Sequence, residues 1–237
     1  MAEIGYCYGS EWQLLRCLGH HRNKFNKALG KALGIDDKRI EWIDYKPGAK
    51  NLTGDNEYQG IEFLEHLNLS KDPQIDVKNL WKEFWANQGR AQTWDGIFTC
   101  NGIVYLVEAK GHIKELKSDG CKSTNDNITN ALTETINYMV EDSDSKLLEQ
   151  WKGAYYQFAN RLAFAYFMNK KCGIETKMVY IYFLNAWPKT EYNVTKAEVW
   201  RDAINDERKV LGITNSAQLD SILSEVFYDC KNQQLAH

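Results

Sequence analysis

Trp94-Asp-Gly-Ile-Phe-Thr-Cys-Asn-Gly-Ile-Val-Tyr-Leu-Val-Glu-Ala-Lys110 is the stretch on which the reading of this 237-residue chain turns. Asn101-Gly102 lies between two apolar, β-prone runs. That is the strongest short-range hairpin signal, because a two-residue type I′ turn needs positive φ at both central positions. Counting outward from the turn, Cys100 faces Ile103, Thr99 faces Val104, Phe98 faces Tyr105, Ile97 faces Leu106, Gly96 faces Val107 and Asp95 faces Glu108. Side chains alternate along a strand, so Lys110 shares a face with Glu108. Two carboxylates and an amine are thus expected together at the open end of an apolar hairpin.

Like charges opposed across a ladder destabilise it by a few tenths to about 1 kcal/mol, so the acid pair costs the fold stability. A hard divalent cation would hold the pair, with a lysine beside it to orient an attacking water. The plainer alternative is a solvated hairpin end whose charges are held apart by Lys110.

With Asp95 followed by Glu108-Ala109-Lys110, the chain resembles the PD-(D/E)xK nuclease superfamily, which includes restriction endonucleases, repair nucleases and junction resolvases. Trp94 stands where a proline usually precedes the aspartate. The resemblance implies an α/β, restriction-endonuclease-like fold with an αβββαβ core, a mixed central sheet flanked by helices. It implies Mg²⁺, for which Mn²⁺ substitutes, held by Asp95, Glu108 and the carbonyl of Ala109. Lys110 would position the water, and Glu11, an acid from the first helix, would add a ligand or orient that water. Direct in-line attack on a phosphodiester would leave a 5′-phosphate.

The rest of the chain can be read in the order this core needs. Ser10 is a plausible N-cap, and Glu11, Leu15, Leu18, Arg22, Phe25, Leu29 and Ala32 follow at helical spacing, with Gly34 as the stop. Arg39 to Tyr45 is expected as the first strand, ended by Pro47-Gly48. Helical patches at Gly60–Leu67 and Val77–Trp85 make an insertion over about residues 55–88, with Trp81, Phe84 and Trp85 in the core. Ser145 to Lys171 predicts one long, largely buried helix. Gln157 and Arg161 lie one turn apart on it, within reach of the site or a phosphate, although a solvated helix edge is the first reading of both. Lys177 to Leu184 is a nearly continuous apolar run, the pattern of a strand covered on both faces.

Residues 111–144 are polar and longer than an ordinary strand-to-helix connection. Leaving the sheet beside Lys110, they are expected to form a lid or substrate arm, interrupted by a helix around Asn127 to Val140. His112 and Glu115, at the start of this segment, are candidates for an acid–base, metal or supporting contact. Residues 195–230 are expected as a helical extension. Thr195-Lys-Ala-Glu198 is a capping box, and Asn215 or Ser216 opens a last helix through Leu219, Ile222, Leu223, Val226 and Phe227. Nothing there points to chemistry; these helices would pad the core or join two copies in a homodimer.

Composition bounds the rest. A chain with 43% hydrophobic residues buries one good core, so residues 1–237 are expected as a single domain. No basic leader followed by an apolar stretch and no bilayer-spanning run is present, which predicts a cytoplasmic protein without a membrane partner. Cysteines at 7, 17, 100, 121, 172 and 230 include no Cys-x-x-Cys pair and suggest neither zinc nor a disulfide framework. His20 and His21 point about 100° apart on a helix and would not share a metal. A net charge of −3 weighs against duplex binding. Against this, Gly19 to Lys31 with Lys38-Arg39 forms a basic region expected near the site if Glu11 is. The expected partner is nucleic acid, DNA first. Two other classes compete: a binding protein of the same fold without turnover, and a metal-dependent hydrolase of a small phosphorylated substrate.

Overall fold

The computed structural model describes residues 9–43, 46–47, 55–67, 75–85, 91–141 and 146–236. Its chain order begins with helices α1 (Ser10–Leu18) and α2 (Arg22–Leu33), then the short strands β1 (Glu41–Trp42), β2 (Lys46–Pro47) and β3 (Asp55–Asn56). After α3 (Val77–Phe84) comes the hairpin of β4 (Gly96–Cys100) and β5 (Ile103–Lys110). Helices α4 (Asp126–Met139), α5 (Leu147–Lys152) and α6 (Tyr156–Tyr166) precede β6 (Thr176–Leu184). Helices α7 (Ala197–Val210) and α8 (Ala217–Ile222) lead to β7 (Leu223–Asp229) and β8 (Gln234–Leu235).

The hairpin turn has Asn101 at φ 53° and Gly102 at φ 81°, as a type I′ turn requires. Pairing runs from Cys100↔Ile103 to Gly96↔Val107 in the register read from the sequence. Six strands form one mixed sheet in the order β1-β4-β5-β6-β7-β8, while β2 and β3 pair separately. β5 and β6 are parallel, as are β6 and β7; β1, β4 and β8 join antiparallel. Both central strands are apolar and buried on both sides, because helices cover each face of a parallel sheet.

One face carries Val104, Leu106, Tyr180 and Tyr182 against Leu132 and Ile136 of α4 and Phe158 and Leu162 of α6. The other carries Phe98, Tyr105, Val107 and Ile181 against Leu14 of α1 and Phe25 and Leu29 of α2. The molecule is therefore α/β with helices on both sides of the sheet. Among the described residues no helix is long and apolar enough to cross a membrane.

Several expected elements differ. The first helix is two, capped by Gly9 rather than Ser10 and broken at residues 19–21, where a glycine costs a helix interior about 1 kcal/mol. The first strand shrinks to Glu41–Trp42, with Arg39 in a 3-10 turn; Tyr45 lies outside the described residues. The long helix expected over 145–171 breaks between α5 and α6, and Ser145 is also outside the described residues. Carbonyls at the break are taken by another segment: Ser118 N–H donates to Ala154 O and Cys121 N–H to Lys152 O, each at 2.7 Å. Helix α4 is no part of a lid, since it buries Ile128, Leu132, Ile136 and Met139 in the core. In the 55–88 insertion, Phe84 and Trp85 are buried and Trp81 packs on Phe164 and Phe167. Leu223 to Phe227 is strand, not helix, so the C-terminal extension completes the sheet.

Candidate active site

The site forms where β4 starts and β5 ends. Ladder pairing closes at Gly96↔Val107, so Asp95 stands one residue outside β4 and is not a ladder partner of Glu108. Its carboxylate turns onto β5 instead, and Ala109 N–H donates to Asp95 Oδ2 at 2.7 Å. A strand residue directs its N–H and C=O to the same side, so the Ala109 carbonyl also faces Asp95 rather than β6.

Glu108 and Lys110 are 2% and 6% exposed, on the α6 face of the sheet. Lys110 Nζ donates to Glu108 Oε1 at 2.7 Å and to Gln157 Oε1 at 2.9 Å. Gln157 Nε2 donates back to Glu108 Oε1 at 2.9 Å, closing a three-residue ring of hydrogen bonds. Arg161 Nε donates to Glu108 Oε2 at 3.2 Å, while Nη1 and Nη2 donate to Asn160 Oδ1 and the Thr93 carbonyl, each at 2.8 Å. The solvated-edge reading of Gln157 and Arg161 does not hold. The i, i+4 spacing turns both toward β5, where a buried carboxylate needs paired charge and hydrogen bonds.

Electrostatics separates the two acids. Burial raises the Asp95 carboxyl to about 8, the neighbouring Glu108 charge adds to this, and Lys110 with the Ala109 N–H opposes it. Burial would also raise Glu108, but the charges of Arg161 and Lys110 outweigh it and hold that carboxyl below its ordinary value. One carboxylate is thus ionised and held by three donors; the other is poised to accept a proton or a cation.

Glu11 is exposed in the first turn of α1. That helix begins against the end of β5: a Cβ on Gly111 would lie 2.8 Å from Ser10 N. Desolvation and the charge of Glu57 raise the Glu11 carboxyl, and the Glu57 charge also raises Asp95. Glu57, just after β3, therefore joins the acids at this end of the molecule; the sequence offers no motif that picks it out.

His112 and Glu115 serve each other rather than the carboxylates. His112 Nε2 lies 3.3 Å from Glu115 Oε1, Glu115 Oε2 accepts the Gly111 N–H at 2.8 Å, and the imidazole packs on Trp187 and Tyr192. Helix α7, in which the sequence points to no chemistry, contributes Glu207, 1% exposed. Its Oε2 has no hydrogen-bond partner among the described residues. Burial raises this carboxyl to about 8, and the Lys110 charge is the largest influence against that rise.

Among the described residues no three Asp, Glu, His or Cys side chains form a ready-made metal cage. The donors that do converge suit a smaller demand. Asp95 Oδ2 accepts one N–H and Glu108 Oε2 one, so each carboxylate keeps lone pairs, and the Ala109 carbonyl adds a third oxygen. Mg²⁺ keeps several waters and takes only one or two carboxylates from protein, so this oxygen set fits it.

The basic region falls elsewhere. Arg39 Nη1 donates to Asn101 Oδ1 at 2.8 Å, at the turn end of the hairpin. At about 3.3 Å per residue, this is on the order of 20 Å from Glu108. No family model matches the chain, and comparison with curated proteins and with solved structures gives no match.

Proposed function

We propose that this chain is a metal-dependent nuclease of PD-(D/E)xK type, built on a restriction-endonuclease-like core and hydrolysing phosphodiester bonds, DNA first among its substrates. The observation that carries the reading is the bond from Ala109 N–H to Asp95 Oδ2, which ties the first acid to the backbone between Glu108 and Lys110. Support comes also from element order: helix, β1, the β4–β5 hairpin, helix, then β6 parallel to β5.

Asp95, Glu108 and the Ala109 carbonyl would hold Mg²⁺ or Mn²⁺, which supplies phosphate charge neutralisation and an acidified water when bound. Lys110 has three N–H donors; Glu108 and Gln157 take two, leaving one for the attacking water or a phosphate oxygen. Gln157 fixes the direction of that donor by accepting from Lys110 while donating to Glu108. Arg161 balances the buried Glu108 charge, so Lys110 is not consumed by neutralising it alone. Glu11 and Glu57 would orient outer waters.

Cleavage of plasmid, linear and single-stranded DNA with Mg²⁺ or Mn²⁺ tests the reading. Wild type is expected to cut, and folded Lys110→Ala and Asp95→Asn proteins to lose at least about 10²-fold in rate. Equal rates in all three proteins would remove the nuclease assignment. Occupation of Glu108 by three donors favours one second reading, a nucleic-acid-binding protein without turnover. It predicts DNA binding that all three proteins share and cleavage by none.

A further inference from the structure

A cavity of about 250 Å³ opens beside Arg161, walled by Trp85 and Tyr156 and edged by Gln92, Thr93 and Asn160. Gln92 is 4% exposed and Arg161 6%, so the polar edge is an interior one. Gln92 Nε2 donates to the Asn160 carbonyl at 3.3 Å, which fixes the amide, and its Oε1 is buried with no hydrogen-bond partner among the described residues. A buried acceptor left without a donor is costly, and the residue that carries it lines the cavity. From there the wall runs unbroken to the carboxylates: Asn160 Oδ1 accepts from Arg161 Nη1 at 2.8 Å, and Arg161 Nε reaches Glu108 Oε2 at 3.2 Å.

Size and chemistry narrow the occupant. The space is about 250 Å³. That is below the ~300–1,000 Å³ of pockets that take a whole drug-sized ligand. Two aromatic walls and fixed amide groups suit one planar ring with hydrogen-bonding edges.

We infer that this cavity takes a single unstacked nucleobase of the strand being cut, its ring against Trp85 and Tyr156 and its edge toward the polar side formed by Gln92, Thr93 and Asn160. The inference rests on the nuclease reading and deepens it, because the substrate is then single-stranded or locally unpaired nucleic acid. A base inside a duplex cannot enter a side cavity without leaving its stack. Charge agrees: a duplex carries a phosphate per about 1.7 Å of axis, a single strand half as many, and this chain carries a net charge of −3.

Binding of dAMP, dGMP, dCMP, TMP and deoxyribose 5-phosphate, followed by tryptophan fluorescence, tests the cavity independently of cleavage. Wild type is expected to bind at least one nucleotide tenfold or more tighter than the sugar phosphate. Gln92→Leu and Tyr156→Leu proteins with unchanged melting curves are expected to lose that advantage. Four nucleotides that bind no better than the sugar phosphate overturn the inference, as do variants that keep the preference. Cleavage of single strand against duplex separates the two readings. A protein that prefers bases but cuts nothing keeps the cavity and loses the nuclease; one that cuts both forms equally without base preference does the reverse.

Discussion

Asp95 and Glu207 set the chain's response to pH. Burial raises both carboxyls to about 8, from ordinary values of 3.8 and 4.5. Between those limits the folded chain holds protons that the unfolded chain has released, so stability falls as pH rises through the window. Glu108 acts in the opposite sense, because its lowered value costs stability only as pH falls below the ordinary carboxylate range. In EDTA, Tm is therefore expected to decline from about pH 5 to about pH 8. Asp95→Asn and Glu207→Gln should each flatten that decline, and the double variant most. Mg²⁺ should raise Tm more at pH 8 than at pH 6, since a carboxylate must be ionised to bind it. A wild-type Tm that climbs over the same range, or variants with an unaltered slope, would show that these acids are not buried in this way.

At the level of elements, the site depends on how closely α1 meets the end of β5. Gly111 follows Lys110, and a Cβ there would lie 2.8 Å from Ser10 N and 3.2 Å from Gly9 C, both backbone atoms that cannot yield by rotating. Gly111→Ala is expected to push α1 away and destabilise the fold by about 1–3 kcal/mol, read by urea unfolding. It should also slow cleavage more than Glu11→Gln does, because it displaces the helix rather than one exposed side chain. A neutral Gly111→Ala protein would mean that α1 does not abut the strand. The hairpin beside this contact was legible because Asn101-Gly102 fixes a turn and a turn fixes register, which sets Lys110 on the face of Glu108. Long-range assembly was not. Arg161 and Gln157 are polar residues on an apolar helix, and only the fold shows that a buried carboxylate faces them. Leu223 to Phe227 satisfies helical and strand spacing alike, an ambiguity that short apolar runs carry; pairing with β6 decides it. The breaks in the first and the long central helices depend on a glycine and on carbonyls claimed from outside, neither of which periodicity records.

Over the whole molecule, 29 basic and 32 acidic residues leave a net −3, so the placement of cations matters more than their number. The basic run lies on α2, where Lys24 Nζ donates to the Asn232 carbonyl and the helix packs toward β7 and β8. Its neighbours Lys38 and Arg39 sit by the hairpin turn, at the end remote from Asp95. Exposed cations nearer the site are Lys114 and Lys117, on the segment that leaves β5, and Lys189, in the turn whose Trp187 and Tyr192 pack on His112. If a single strand runs to the carboxylates it meets about three of them, so log K against log salt should have a slope near −2, at about −0.7 per phosphate contact. Removing Lys114 and Lys117 together should cut that slope to about −0.7 and weaken binding of every sequence alike. Replacing Lys27 and Lys31 on α2 should leave it unchanged. The opposite pattern, with α2 carrying the salt dependence, would place the nucleic acid across the far side of the sheet and separate binding from the carboxylates.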